Sequence, residues 1–296
     1  MRAPVTTRSP LPLSGWTPCS PAAGFEPGSS AVGNPVLRDL EMNCGPLHLS
    51  MAACGFLGVW HLGVAQALST HSPRLLRALR GYAGASAGAL AAALLLTAPH
   101  RIQAGADFAF ALAEETRAQV LGAATPGYDF LGRLRRGIES LFPPDAHLQA
   151  EHRLLVSLTH ARSRANYRVS TFASREDLVQ VLLASCFVPV YAGLKPVRHQ
   201  GQPWVDGVFS DGLPVFPSGR TLTASPFCGR TDIGPQDGGR RVPPVNIARQ
   251  EVELSMANLV RLRFALFPPA RGSMEALYQA GFQDALRFLR KEDWLE

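Results

Sequence analysis

Gly84-Ala85-Ser86-Ala87-Gly88 is the stretch on which the reading of this chain turns. Ahead of it, Arg80 to Ala83 is a short strand candidate; behind it, Ala89 to Leu96 is a run of strong helix formers. A strand, a turn of small residues and a helix open an α/β unit. The pentapeptide fits G-x-S-x-G, in which a serine occupies a sharp, strained turn. Small neighbours let such a turn pack while Oγ projects outward. The helix beginning there aims its N–H groups and the positive end of its dipole at the site, where acyl transfer develops negative charge. The competing reading is a small-residue turn that only packs a helix on a sheet. The strand–turn–helix context favours a nucleophile at Ser86.

A similar unit lies upstream. Leu47 to Ala52 reads as a strand entering a core, Cys54-Gly55-Phe56-Leu57-Gly58 as a glycine-bearing turn, and the following residues as a helix to about Ser69. Downstream, residues 104–121 carry a helical pattern through Phe108, Ala111, Leu112 and Val120. Pro126, Gly127, Pro143 and Pro144 mark loops. Leu154 to Leu158 and Tyr167 to Thr171 read as strands, and Ser174 with Asp177 as a helix N-cap with an acidic third position. Trp204-Val205 runs as a strand into Asp206-Gly207, and Thr221 to Pro226 is a further strand candidate. Met274, Tyr278, Gly281, Ala285 and Leu289 share one face of a long amphipathic helix. Residues 1–44, rich in Pro, Gly and Ser, are expected to be a disordered leader, with Met42 a plausible alternative start, and residues 45–296 one domain.

Order along the chain narrows the choice of proton acceptor. Alpha/beta-hydrolase triads run Ser, then Asp or Glu, then His. The last histidine here is His199, so no His-terminated triad can follow Asp206. His100, His147, His152, His160 and His199 all fall on stretches that read as loops or helix surfaces. A Ser–Asp dyad needs no histidine: a carboxylate within reach of Oγ takes the proton if burial raises its pKa. Asp206 ends a strand at a glycine turn and is the best candidate. Asp211-Gly212 is a near decoy, and either aspartate has an alternative role as a turn residue bonding its own backbone.

Composition narrows the classes. The 296 residues are 46% hydrophobic and 18% charged, enough apolar residue for one sizeable core. The net charge of +6 suits an anionic partner, but no nucleic-acid motif accompanies it. Arg133, Arg135 and Arg136, Arg240 and Arg241, and Arg287, Arg290 and Lys291 read as solvated helix faces. The cysteines, Cys19, Cys44, Cys54, Cys186 and Cys228, are odd in number and irregularly spaced, as in reduced intracellular proteins. No metal spacing is present, so neither metal nor cofactor is expected. The first residues have no apolar h-region, which argues against secretion, and the Ala89–Ala98 run is shorter than the ~20 residues of a bilayer span.

Three motifs in order, Cys54-Gly55-Phe56-Leu57-Gly58, Gly84-Ala85-Ser86-Ala87-Gly88 and Asp206-Gly207, resemble the oxyanion loop, nucleophile elbow and D-G motif of patatin-like phospholipases. The subgroup of adipose triglyceride lipase and adiponutrin is the nearest resemblance, through Phe187-Val188-Pro189-Val190-Tyr191, Asp232 to Asp237, Ala265 to Pro269 and Asp284 to Arg290. The similarity runs from about Leu47 to Arg290. It implies a three-layer α/β/α fold with a mostly parallel central sheet, Ser86 and Asp206 as catalytic dyad, and backbone N–H groups of Cys54 and Gly55 as oxyanion hole. Gly58, Gly84, Gly88 and Gly207 complete the motifs. The implied activity is lipid acyl hydrolysis through an acyl-serine, on neutral lipid or phospholipid at a membrane or lipid-droplet surface, with a protein coactivator possible and the protein cytoplasmic and peripherally attached. Lipid transacylation is the alternative. A further alternative is a catalytically weak lipid-surface protein binding a lipase coactivator, suggested by Ala53 where the subgroup usually has Gly and by Val208 where D-G-G is usual. The C-terminal extension of longer relatives, associated with lipid-droplet binding, is expected to be absent. Phe56, Leu57 and Trp60 beside the oxyanion loop either reach an interface or join the core.

Overall fold

The computed structural model describes residues 45–237 and 244–296. The leader and the Arg240-Arg241 pair lie outside the described residues. In chain order the strands are β1 (Leu47–Met51), β2 (Leu79–Gly84), β3 (Leu154–His160), β4 (Asn166–Val169), β5 (Val197–His199), β6 (Gln202–Asp206), β7 (Arg220–Ala224), β8 (Pro244–Ile247) and β9 (Gln250–Glu253). The helices are α1 (Gly58–His71), α2 (Pro73–Ala78), α3 (Ala87–Thr97), α4 (Ile102–Arg117), α5 (Phe130–Leu141), α6 (Ala146–Ala150), α7 (Arg175–Ser185), α8 (Met256–Leu266) and α9 (Arg271–Lys291).

The centre of the sheet, β3-β2-β1-β7, is parallel. Both faces of such strands are covered, which is why β1, β2 and β3 are buried along nearly their whole length and show little alternation in sequence. β4 and β6 add antiparallel pairs to β3, and β5 pairs with β6. A separate antiparallel hairpin, β8–β9, stands off the sheet. Helices flank the sheet, giving the α/β architecture expected of the sequence.

Two helices follow the chemistry foreseen for them. Ser174 Oγ accepts from the Asp177 N–H at 3.1 Å, and the Asp177 carboxylate accepts from the Ala173 N–H at 3.0 Å. This is a cap satisfying two otherwise orphaned donors. Along α9, Met274, Tyr278, Ala285 and Leu289 are buried as their spacing requires. The helix packs on α1, and Trp60 Nε1 crosses the seam to donate to Asp284 Oδ2 at 3.0 Å.

α4 differs from its sequence pattern. It ends at Arg117, so Val120 does not take an inward position but is 92% exposed in the following turn. The Arg133–Arg136 cluster is a surface face of α5: Arg133 meets Glu115 at 2.7 Å, and Arg135 meets Glu139 at 2.8 Å and Glu176 at 2.6 Å.

Candidate active site

Ser86 joins β2 to α3 with φ 54° and ψ −133°. A non-glycine residue held there costs about 1–3 kcal/mol and persists only when its surroundings fix it. The fixing contact is a hydroxyl relay. The Ser86 N–H donates to Ser185 Oγ at 2.8 Å, and Ser185 Oγ donates to the Ser157 carbonyl at 2.9 Å. α3 then starts so close to β1 that a Cβ on Gly88 would sit 2.2 Å from the Met51 carbonyl oxygen and 2.5 Å from that of Ala52. Only glycine lets the helix N-terminus reach this depth. The other motif glycines are in similar contact: a Cβ would lie 2.6 Å from Ala89 N at Gly84, 2.8 Å from Ala87 Cβ at Gly58, and 2.4 Å from the Ser157 carbonyl oxygen at Gly207.

Asp206 closes β6 and is buried. Its N–H donates to the Phe187 carbonyl at 2.9 Å, and its carbonyl accepts from Thr159 Oγ1 at 2.8 Å. Its carboxyl accepts from the Val208 N–H at 2.8 Å, and the Ser86 hydroxyl beside it favours the ionised form. Burial raises its pKa from 3.8 to about 7, against the opposing effect of those two groups. Ser157 therefore references both halves of the pair to β3: through Ser185 it holds the Ser86 backbone, and Gly207 packs on its carbonyl. The decoy, Asp211, is wholly buried and ion-paired with Arg168 at 2.7 Å and Arg249 at 3.4 Å. Its contacts are structural.

The loop after β1 has the geometry of an anion site. Gly55 has φ 53°, and a Cβ there would lie 2.2 Å from the Ala265 carbonyl oxygen. The Ala53 N–H is used by the Gly212 carbonyl at 2.8 Å, whereas among the described residues the N–H groups of Cys54 and Gly55 donate to no protein acceptor. Ala53 is not one of the positive-φ residues, so alanine imposes no backbone strain at that position. Behind the loop, His61 Nε2 donates to the Ala52 carbonyl at 2.9 Å, and burial lowers its pKa to about 4, leaving it neutral. Cys54 and Cys186 are buried beside the pair, and burial first, then the charge of Asp206, raises both thiols well above their usual range.

Ser86, Asp206, Cys54 and Gly55 all face one cavity of about 330 Å³. Its wall runs inward between α3, α4 and α5 through Leu90, Leu94, Phe108, Leu112, Leu134 and Ile138. Phe56 is part of that wall, while Leu57 and Trp60 are core residues, so of the two fates open to this trio Leu57 and Trp60 take the core. Among the described residues no histidine lines the cavity, and no cluster of His, Cys, Asp and Glu is placed to hold a metal ion. The arrangement sets a strained hydroxyl, a buried carboxyl of near-neutral pKa and two free N–H donors at the polar end of an apolar tube.

Residues 49–217 match the family model for patatin-like phospholipase. The chain belongs to the patatin-like phospholipase family. It is 57% identical over 250 residues to patatin-like phospholipase domain-containing protein 4 of Homo sapiens, an alignment covering 84% of this chain and 99% of that protein. It is 38% identical to patatin-like phospholipase domain-containing protein 2 of Homo sapiens, covering 84% of this chain and 49% of the relative. It is 35% identical to the Homo sapiens protein named 1-acylglycerol-3-phosphate O-acyltransferase PNPLA3, covering 82% and 50%. The chain thus spans nearly all of the first relative and about half of the other two. In this patatin-like domain, sequence reasoning missed Ser157, Ser185 and Cys186. The advance sign for Ser185 and Cys186 was a Ser-Cys pair closing the apolar end of a helix just ahead of Phe187-Val188-Pro189.

Proposed function

We propose that the protein is a serine acyl hydrolase of lipid esters, triacylglycerol lipase-like and of the adipose triglyceride lipase and adiponutrin subgroup. The observation that carries the reading is the placement of the strained Ser86 and the buried Asp206 together at the head of one apolar cavity. Ser86 Oγ attacks the ester carbonyl carbon as its proton passes to the Asp206 carboxylate. The Cys54 and Gly55 N–H groups receive the oxyanion, each such donor typically contributing about 3 kcal/mol to the transition state. Collapse of the tetrahedral intermediate expels the alcohol, which takes the proton back from Asp206 and leaves an acyl-Ser86 ester. Water, deprotonated by Asp206, then attacks that ester and regenerates the serine. A base with pKa near 7 combines a useful ionised fraction at neutral pH with good basicity.

The cavity has the volume and apolar lining of a ligand site, and its depth between three helices suits an acyl chain. The name of the acyltransferase relative and the scarcity of polar wall favour a second reading, transfer of the acyl group to a lipid alcohol in place of water. The backbone at Ala53, which needs no positive φ, and the Val208 N–H bond to Asp206 favour the enzyme over the inactive-binder reading. The test compares the parent and Ser86→Ala on emulsified triolein and a phospholipid panel, following free fatty acid, transacylation products and fluorophosphonate labelling. Turnover and labelling by the parent alone support the reading; equal background from both proteins, with acyl acceptors present, refutes it.

A further inference from the structure

The sequence of α8, Met256-Ala257-Asn258-Leu259-Val260-Arg261-Leu262-Arg263-Phe264-Ala265-Leu266, is apolar at eight of its eleven positions. A helix of that kind is ordinarily core. Here only Asn258 and Ala265 are buried, and Met256 is 75% exposed with Leu259, Val260, Leu262 and Leu266 also exposed. The helix is not isolated. Tyr191 donates its hydroxyl to the Leu266 carbonyl, bringing in the 188–195 loop, where Val190 is 70% and Leu194 85% exposed. Arg117 donates to the Pro268 carbonyl at 3.4 Å, and a Cβ on Gly122 would lie 3.9 Å from the Phe267 ring, bringing in the turn that exposes Val120 and Leu121. Three segments distant in sequence thus place large exposed apolar side chains around the C-terminal end of one helix. A contiguous patch of this kind marks an interaction surface.

Resting on the acyl-hydrolase reading above, we propose that this face seats the protein on a phospholipid surface carrying anionic headgroups. Two observations select that occupant. Leu259, Leu262 and Leu266 line the cavity as well as forming part of the face, so an acyl chain entering from a lipid layer meets apolar surface all the way to Ser86 and never crosses water. Segments 117–122, 188–195 and 256–269 hold Arg117, Lys195, Arg261 and Arg263 and not one Asp or Glu. Arg261 is engaged by Asp237 at 2.6 Å, and the other three cations are exposed. Apolar side chains with basic residues among them match an interfacial surface facing anionic lipid. Like charges would oppose docking of a second copy on the same face.

The test is flotation of the full chain with phosphatidylcholine vesicles and with vesicles that also contain phosphatidylserine. The parent floats with both and more with the second. A triple variant, Val120→Asp, Leu194→Asp and Phe267→Asp, changes none of the cavity-lining residues. It loses at least tenfold in vesicle affinity while hydrolysing a soluble short-chain ester at the parent rate. A charge variant, Arg117→Ser, Lys195→Ser and Arg263→Ser, loses about a hundredfold on phosphatidylserine vesicles and little on phosphatidylcholine alone, from about one kilocalorie per mole for each cation. Ser86→Ala floats like the parent, so failure of the hydrolase reading and failure of the docking face are read separately. A parent that does not float, or a triple variant that floats equally well with unchanged circular dichroism, overturns the proposal; in the first case a protein coactivator becomes the occupant to test.

Discussion

Asp206→Asn is expected to abolish turnover and to stabilise the fold, with the stabilisation depending on pH. Burial lifts the Asp206 carboxyl from 3.8 to about 7. Holding it ionised in the native state therefore costs about 4 kcal/mol relative to the unfolded chain, at 1.36 kcal/mol for each tenfold step. Between those two values the native state binds a proton that the unfolded state has released. Stability therefore falls as pH rises from about 4 to about 7, and beyond that this contribution is constant. Asparagine keeps an oxygen to accept from the Val208 N–H and carries no charge, so the variant escapes the cost. Urea midpoints of parent and variant across the pH range isolate the effect, because every other titrating group is common to both. The difference in unfolding free energy should be near zero at about pH 4 and grow to about 4 kcal/mol in favour of the variant by about pH 8. In the same series the parent's kcat/KM should rise with an apparent pKa near 7, since only the ionised carboxyl accepts the proton. A stability difference that does not change with pH, or a variant less stable than the parent at about pH 8, would refute the buried-carboxylate argument.

Three further outcomes follow from the same geometry. Ser185→Ala leaves the Ser86 N–H buried without its acceptor and should lower stability by about 1–3 kcal/mol, with kcat falling and KM little changed; Ser185→Thr, which keeps the hydroxyl, should recover part of kcat, and no difference between the two variants would exclude the relay. Gly55→Ala combines a positive φ with a Cβ 2.2 Å from the Ala265 carbonyl oxygen, so activity should drop at least a hundredfold while far-ultraviolet circular dichroism is retained. Ala109→Phe narrows the cavity along α4 and should reduce kcat/KM for long-chain nitrophenyl esters about tenfold while sparing short ones; a uniform loss at all chain lengths would show that this wall does not hold the acyl chain.

The strand–turn–helix units around Cys54 and Ser86 were legible because their small residues are dictated by backbone contacts that tolerate nothing else, as the 2.2 Å approach at Gly88 illustrates. Asp206 stood out by its place at a strand end before glycine, with no histidine after His199, and the structure brings it into one cavity with Ser86. α9 was legible because one face alone is buried, so its period survives in the sequence. α5 was legible only as a solvated face through its three arginines; its inner face, Phe130, Leu134, Ile138 and Leu141, went unread because Gly132 and Gly137 dilute the pattern. Ser185 was invisible for a different reason: its role lies in two hydrogen bonds, to residues 99 and 28 positions away, that no local pattern encodes.

α8 is the most informative of these misses. Its composition reads as core, and a pattern-based argument has no way to expose it, because the period of an amphipathic helix presupposes water on the polar side. If the side away from the protein meets lipid instead, both sides are selected for apolar residues and the period vanishes. The same logic explains Val120, which continues the apolar pattern of α4 in sequence yet is almost wholly exposed in the following turn. α8 lines the cavity that holds Ser86, and the turn that exposes Val120 meets the end of that helix at Phe267 and Pro268. That coincidence is the physical reason to treat the apolar face and the acyl cavity as one continuous device, in which the surface that excludes water from the mouth is also the one through which substrate arrives.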